Sequence, residues 1–198
     1  GSGKTEVYLR AAEEALREGR QVLVLVPEIA LTTQIVQRFR AWFGDAVAVA
    51  HSKLSQNERG DVWYKMRNGT ARILIGVRSA VFAPFENLGL VIIDEEQETS
   101  YKQEERPSYH AREVARCRCR LNKAVLLLGS ATPSLDSYYL ARTGAMTELR
   151  LTERPSGAVL PKVTLVDMRD ELAQKNFSDL SRRLRQEIVE TVRRGEQA

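Results

Sequence analysis

Cysteine is nearly absent: 198 residues hold two, Cys117 and Cys119, in a C-x-C pair on a predicted helix. Side chains two apart on a helix diverge and cannot readily bridge, and the spacings of zinc sites are missing. A disulfide framework is excluded, and buried reduced thiols are expected instead. Of the two histidines, His51 reads as structural. No run of about 18 apolar residues occurs, which argues against a membrane-spanning helix, and no basic-then-apolar leader opens the chain. A soluble cytoplasmic protein without internal repeats or low-complexity tracts is expected. What the chain does have, 43% hydrophobic and 28% charged residues, suffices for the core of one large domain. The net charge of +4 permits an anionic partner such as nucleic acid without demanding one.

The hydrophobic pattern alternates between two periods. From Thr5 to Glu18 the residues Tyr8, Ala11, Ala12, Ala15 and Leu16 keep helical spacing, and Gly19 offers a left-handed stop. Val22 to Val26 is continuously apolar, as in a buried parallel strand. A helix carrying Leu31, Ile35, Phe39 and Trp42 follows, then a strand at Ala46 to Ala50. Ser55 and Glu58 form a capping box for a helix running to Gly69. Further strands are expected at Arg72 to Gly76, Leu88 to Ile93 and Ala124 to Leu128, with a polar stretch at Glu95 to Ser108 and a helix over Tyr109 to Arg120. Such alternation predicts an α/β domain with a doubly wound parallel sheet over residues 1 to about 150. From 151 to 198 the pattern loosens into a connecting strap, with a short strand at Val163 to Val166 and a last helix repeating Leu180, Leu184, Ile188 and Val192.

Gly1-Ser2-Gly3-Lys4-Thr5 stands directly before the first helix and fills the end of the phosphate-loop pattern G-x-x-x-x-G-K-[ST]. Its first glycine and two further residues would lie upstream of Gly1, so the chain is expected to belong to something longer. Amides of Gly1, Ser2 and Gly3 would cradle phosphate, Lys4 would reach the terminal phosphates, and the Thr5 hydroxyl would coordinate magnesium. By itself the pentapeptide also reads as a plain glycine-rich turn. The strand Leu90 to Ile93 ends in Asp94-Glu95, at the sheet edge where ligands of open α/β sheets bind. Asp94 is expected to hold magnesium through water, and Glu95 to polarise the water attacking a γ-phosphate. Ser130-Ala131-Thr132 follows another strand, where the Ser130 and Thr132 hydroxyls could bond those carboxylates and report the state of the phosphate.

In this order the three elements resemble motifs I, II and III of superfamily 2 helicases, in the first RecA-like motor lobe. The likeness sharpens to the primosomal protein N′ family, the replication-restart helicases. It rests on Gly1 to Tyr8, Val26-Pro27-Glu28-Ile29-Ala30-Leu31-Thr32, His51-Ser52, Gly76 with Arg78 to Phe85, and Asp94-Glu95-Glu96 with Ser100 to Gln103. Tyr109-His110-Ala111-Arg112, Leu128 to Ser134, Leu160-Pro161 and Asp167-Met168-Arg169 complete it. Two departures stand out. Gln97 replaces the family's usual histidine at the end of motif II, and Val77 its usual threonine. Gln97 can still donate and accept, so coupling to the phosphate can survive, but it cannot titrate.

The resemblance implies an ATP- and Mg2+-dependent DNA helicase moving 3′ to 5′ and acting at stalled or repaired forks in replication restart and primosome assembly. It implies single-stranded and forked DNA and replisome and primosome proteins as partners, a monomer, and a place in the bacterial cytoplasm at the nucleoid. The arginine that completes the ATP site and the zinc-binding cysteines would lie in a second lobe. Thr32, Gln34, Arg78 and Ser79 occupy the loops that would meet single-stranded DNA, although Thr32 and Thr33 also suit simple N-capping. Tyr101, Lys102 and Tyr109 lie where the family has an aromatic-rich, DNA-sensing loop, which reads equally as a solvated loop. Arg112, Arg116, Arg118, Arg120 and Lys123 form a basic face, and Arg182, Arg183 and Arg185 a second cluster; both read as solvated surface. A non-hydrolysing scaffold that binds DNA and loads a replicative helicase is the alternative, and a small-molecule nucleotide kinase a weaker one.

Overall fold

The computed structural model describes residues 3–28, 34–152 and 163–197. It divides into two compact units, Gly1–Ser156 and Gly157–Ala198. In the first, α1 (Lys4–Arg17), β1 (Gln21–Leu25), α2 (Gln34–Phe43), β2 (Val47–Ala50), α3 (Gln56–Arg67), β3 (Ile73–Gly76) and β4 (Leu88–Asp94) follow in order. A two-residue hairpin, β5 (Lys102–Gln103) with β6 (Tyr109–His110), precedes α4 (Ala111–Asn122), β7 (Val125–Gly129) and α5 (Leu135–Arg142).

Five strands form one parallel sheet in the order β2-β3-β1-β4-β7. The continuous apolar run of β1 is explained by its central place, since Val22, Leu23, Val24 and Leu25 are fully buried. Successive side chains alternate between the two faces. Val22 and Val24 join Tyr8, Leu9 and Ala12 of α1 and Phe39 of α2, whereas Leu23 and Leu25 join Met66 of α3, Tyr101, and Ala111 and Ala115 of α4. Each such fully buried aliphatic residue contributes about 1.5–3 kcal/mol. The resulting α/β sandwich gathers the C-terminal ends of all five parallel strands along one rim.

The capping box of α3 is present, with the Ser55 Oγ accepting from the Glu58 amide and the Glu58 carboxylate accepting from the Ser55 amide. The polar stretch after β4 is more ordered than its composition predicts: a 3-10 turn, Thr99–Tyr101, leads into the hairpin. In the second unit, Val163 to Val166 form no strand, being exposed and without a ladder partner. Instead Asp167 caps a short helix, α6 (Met168–Ala173), by accepting from the Arg169 amide. The last helix, α7 (Arg182–Arg193), is capped by Ser181, and its Arg182, Arg183 and Arg185 are solvated as expected.

The basic face of α4 differs from expectation. Arg116 and Arg120 are exposed, but Arg112 is drawn inward to Glu96, and Arg118 lies over the Phe85 ring and donates to the Val81 carbonyl. Desolvation of these guanidiniums is offset where carboxylates and carbonyls complete their hydrogen bonds. Cys119 is buried, whereas Cys117 is exposed, because only one of two neighbours on a helix can face the sheet.

Candidate nucleotide and nucleic-acid site

Gly3 adopts a left-handed conformation, φ 83°, that suits glycine, and Lys4 is the first residue of α1. Lys4 Nζ donates to Glu95 Oε1 at 2.6 Å, across 91 positions of sequence. Thr5 is half-buried in the same first turn. The lysine of the phosphate-loop pattern and the acid after β4 thus converge at one rim of the sheet. Gly1 and Ser2 lie outside the described residues.

Two tyrosines hold Asp94. The Tyr8 hydroxyl donates to its Oδ1 at 2.8 Å, and the Tyr101 hydroxyl donates to its backbone carbonyl at 2.6 Å. Burial, followed by the negative charge of Asp94, pushes both phenols far above the usual tyrosine range, so they remain donors. Tyr8 lies one turn beyond Lys4 on the same face of α1, a spacing visible in the sequence.

Glu95 has φ 46°, uncommon for a residue with a side chain. This bend follows the last strand residue and carries Glu95 toward Lys4. Its second oxygen accepts from Gln97 Nε2 at 2.9 Å, and Gln97 Oε1 accepts from Ser130 Oγ at 2.5 Å. Ser130 therefore reaches the acidic pair through Gln97 and makes no direct bond to the carboxylates. Thr132 is exposed and its amide donates to Ser130 Oγ at 2.9 Å. Burial raises the Glu95 carboxyl, but the hydrogen bonds from Gln97 and Lys4 outweigh it and hold the group below its ordinary range.

Hard oxygen donors, the Asp94 carboxylate and the Thr5 hydroxyl, suit Mg2+, which keeps several waters and takes few protein ligands. Among the described residues no group of three or more His, Cys, Asp or Glu side chains gathers into a protein-only metal cage. This donor set fits a magnesium ion shared with phosphates.

On the same rim, a 3-10 turn, Arg78–Phe82, follows β3. Arg78 Nη1 donates to the Lys102 carbonyl at 2.7 Å and the Ser100 carbonyl at 3.3 Å, and its guanidinium lies 6.0 Å from the Tyr109 ring centre. Arg78 thus props the hairpin, while Ser79 is exposed beside it. Val26, Glu28, His51, Trp63 and Arg78 help line an open depression of about 400 Å3. Gln34 is exposed at the start of α2, and Thr32 lies outside the described residues. Lys102 is exposed and Tyr109 half-buried, the latter edge-on to Phe82 at 4.9 Å.

Tyr101 corrects a sequence expectation. It is 1% exposed, its ring in the core and its hydroxyl beneath Asp94, so it presents no face for base stacking. The 3-10 turn aims it inward, where it supports the acidic turn. A further cluster went unassigned in the sequence. Glu96, 2% exposed, accepts from Arg112 Nη1 at 2.8 Å, the Ser134 amide at 2.7 Å and the Ser137 hydroxyl at 3.0 Å. Glu96, Arg112 and Ser134 stood in the sequence among the residues of the family resemblance, with no role attached beyond the solvated basic face read for Arg112.

Residues 1–140 match the DEAD/DEAH box helicase family. The chain belongs to that family. This DEAD/DEAH box chain is 52% identical over 198 residues to replication restart protein PriA of Bacillus subtilis strain 168, covering 100% of itself and 25% of that protein. With replication restart protein PriA of Chlamydia pneumoniae it shares 48% over 199 residues, covering 100% of itself and 27% of the relative. It spans about a quarter of these relatives' length. Among solved structures it is similar to RecG bound to a three-way DNA junction, with TM-score 0.50 and 29% identity over 73% of this chain and 18% of that one. The Pyrococcus furiosus Hef helicase domain matches with TM-score 0.54 and 21% identity, over 75% of this chain and 32% of that one, a likeness of fold.

Proposed function

We propose that this chain is the ATP-binding first motor lobe of a PriA-type replication-restart helicase. The carrying observation is the Lys4–Glu95 pair, which puts the phosphate-loop lysine and the water-orienting acid within one nucleotide's reach. Gly3 would offer its amide to the phosphates, as would Gly1 and Ser2, which lie outside the described residues, and Thr5 and Asp94 would hold Mg2+. Held there, the ion would supply the positive charge that offsets the phosphates.

Lys4 then turns from Glu95 to the γ-phosphate. One hydrogen bond that depresses the Glu95 carboxyl is lost, so the carboxylate becomes both free to orient water and a better acceptor for its proton. Gln97 retains the second oxygen and links Glu95 to Ser130, a path by which the neighbouring segment senses the phosphate. An arginine from a second lobe completes the site. This lobe alone hydrolyses ATP slowly, because such an arginine is worth roughly 10³–10⁵ in rate in related enzymes.

In the full-length protein the motor moves 3′ to 5′ on single-stranded DNA at forks, as a monomer that recruits replisome and primosome proteins in the bacterial cytoplasm at the nucleoid. Ser79, Lys102, Tyr109 and Gln34 meet the strand, as does Thr32, which lies outside the described residues; Arg78 acts chiefly by bracing the hairpin, and zinc belongs to the second lobe. No described helix is long and apolar enough to cross a membrane. The 151–198 strap leads toward that second lobe.

ATPase activity of the full-length protein, with and without single-stranded DNA, tests this reading. Stimulation by DNA is expected, and a DNA-independent rate would remove the motor. Lys4→Ala should abolish unwinding. If it leaves fork-dependent helicase loading untouched, the protein is a scaffold instead.

A further inference from the structure

Glu96 and Arg112 join two segments that otherwise have separate tasks. Glu96 directly follows Glu95. Arg112 sits in the first turn of α4, immediately after the hairpin, where its amide donates to His110 Nδ1 at 3.2 Å. Their charged groups meet at 2.8 Å with side-chain exposures of 1% and 12%.

The contact is branched. Arg112 Nη1 also donates to Ser134 Oγ at 2.6 Å, and Nη2 donates to Asp136 Oδ2 at 3.0 Å. Glu96 holds the Ser134 amide with its other oxygen, Oε1, at 2.7 Å. Ser134 ends the segment that begins at Ser130, and Ser130 is bonded through Gln97 to Glu95. Residues 130–134 are therefore tied at one end to Gln97, in front, and at the other to the buried pair, behind. A shift of α4 relative to the sheet cannot leave Ser134 in place without breaking hydrogen bonds to a buried charge.

Stability alone is a poor reason for such a pair. Two desolvated charges at best break even with apolar side chains of the same size, so the geometry they impose is their distinctive product. That geometry runs from the exposed hairpin through α4 to the loop that reaches Glu95 by way of Gln97.

We infer that Glu96 and Arg112 are positioning residues that convert DNA contact at the Lys102–His110 hairpin into placement of the Ser130–Ser134 segment, and thereby into hydrolysis. This rests on the proposed motor function.

The test compares Glu96→Gln and Arg112→Lys with the unsubstituted full-length protein, measuring kcat and KM for ATP with and without a single-stranded oligonucleotide. Glutamine keeps the shape of Glu96 without its charge, and lysine keeps the charge of Arg112 without its fork. DNA-free kcat, ATP KM and oligonucleotide affinity should stay within about twofold, whereas DNA-stimulated kcat falls about tenfold, inside the range of ordinary coupling between sites. An unchanged DNA-stimulated rate overturns the inference. So does an equal fall with and without DNA, or loss of DNA binding, either of which makes the pair a general support. If Glu96→Gln does not fold, Arg112→Lys decides, and failure of both to fold assigns the pair to stability and overturns the coupling role. An unsubstituted protein that DNA does not stimulate sinks the motor reading itself, a result visible before any variant is compared.

Discussion

The Tyr8 hydroxyl passes so close over Gly129 that a Cβ there would lie 1.6 Å from its oxygen and 2.7 Å from the ring carbon bearing it. Gly129 pairs in register with Asp94 on the neighbouring strand, and the same hydroxyl donates to Asp94 Oδ1. A bare backbone on β7 is what lets a side chain of α1 cross to the Asp94 carboxylate. Gly129→Ala must displace the Tyr8 ring, because a strand backbone fixed on β4 cannot withdraw. The expected cost is about 1–3 kcal/mol of stability, the usual penalty of overpacking. Urea denaturation measures this, and the Mg2+ concentration for half-maximal ATPase should rise alongside. An unshifted midpoint would show that Tyr8 does not occupy this space in solution.

Glu95 and Lys4 should separate binding from chemistry. Glu95→Gln keeps the shape and a bond to Gln97, yet loses the charge proposed to orient water and receive its proton. ATPase turnover should drop by roughly 10²–10⁴, the usual worth of a positioned general base. Affinity for ATP should hold or tighten, because Lys4 no longer has a carboxylate competing with the phosphates. Equilibrium binding of a fluorescent ATP analogue beside steady-state turnover checks both, and a variant with parental turnover would remove Glu95 from the chemistry.

The sheet was legible because its strands are buried on both faces, and that condition writes itself as unbroken runs such as Val22 to Val26. The convergence of Lys4 with Asp94 and Glu95 was legible too, because parallel strands place every such motif at one rim. Tyr101 was misjudged for a physical reason. An aromatic beside a lysine has the same composition whether the ring faces DNA or the core, and only the 3-10 turn at Thr99–Tyr101 decides. Arg112 was obscured in another way. A charge on a helix reads as solvated unless its partner is known, and Glu96 lies 16 positions away on a different element. Val163 to Val166 have strand-like composition, but β propensity expresses packing against neighbours and lapses without them.

The two cysteines should differ sharply in reactivity. Burial against the sheet pushes the Cys119 thiol up to about 11, whereas Cys117 lies exposed on the other side of α4. Alkylation requires thiolate and access together. Iodoacetamide at mildly alkaline pH should label Cys117 alone in the native protein, and both residues in denaturant. Peptide mass mapping distinguishes the sites. Equal native labelling would mean that α4 does not keep its inner face on β4 and β7.

The Glu96 network predicts a pH-dependent stability. Burial raises the Glu96 carboxyl, but donors from Ser134, Arg112 and Ser137 outweigh that and hold it below its ordinary 4.5. A carboxyl depressed in the folded state stabilises fully above its unfolded value and loses that contribution as pH falls through the folded one. At pH 7 Glu96→Gln should therefore cost about 1.5–3 kcal/mol, the worth of hydrogen bonds to a charged group. Below pH 4.5 the unfolded chain takes up the proton first and the folded carboxylate follows at lower pH, so the gap between parent and variant should narrow. Urea midpoints of both proteins across that window measure the difference. A gap that stays constant into acid would mean that the Glu96 charge is not what holds Ser134 and Arg112 together.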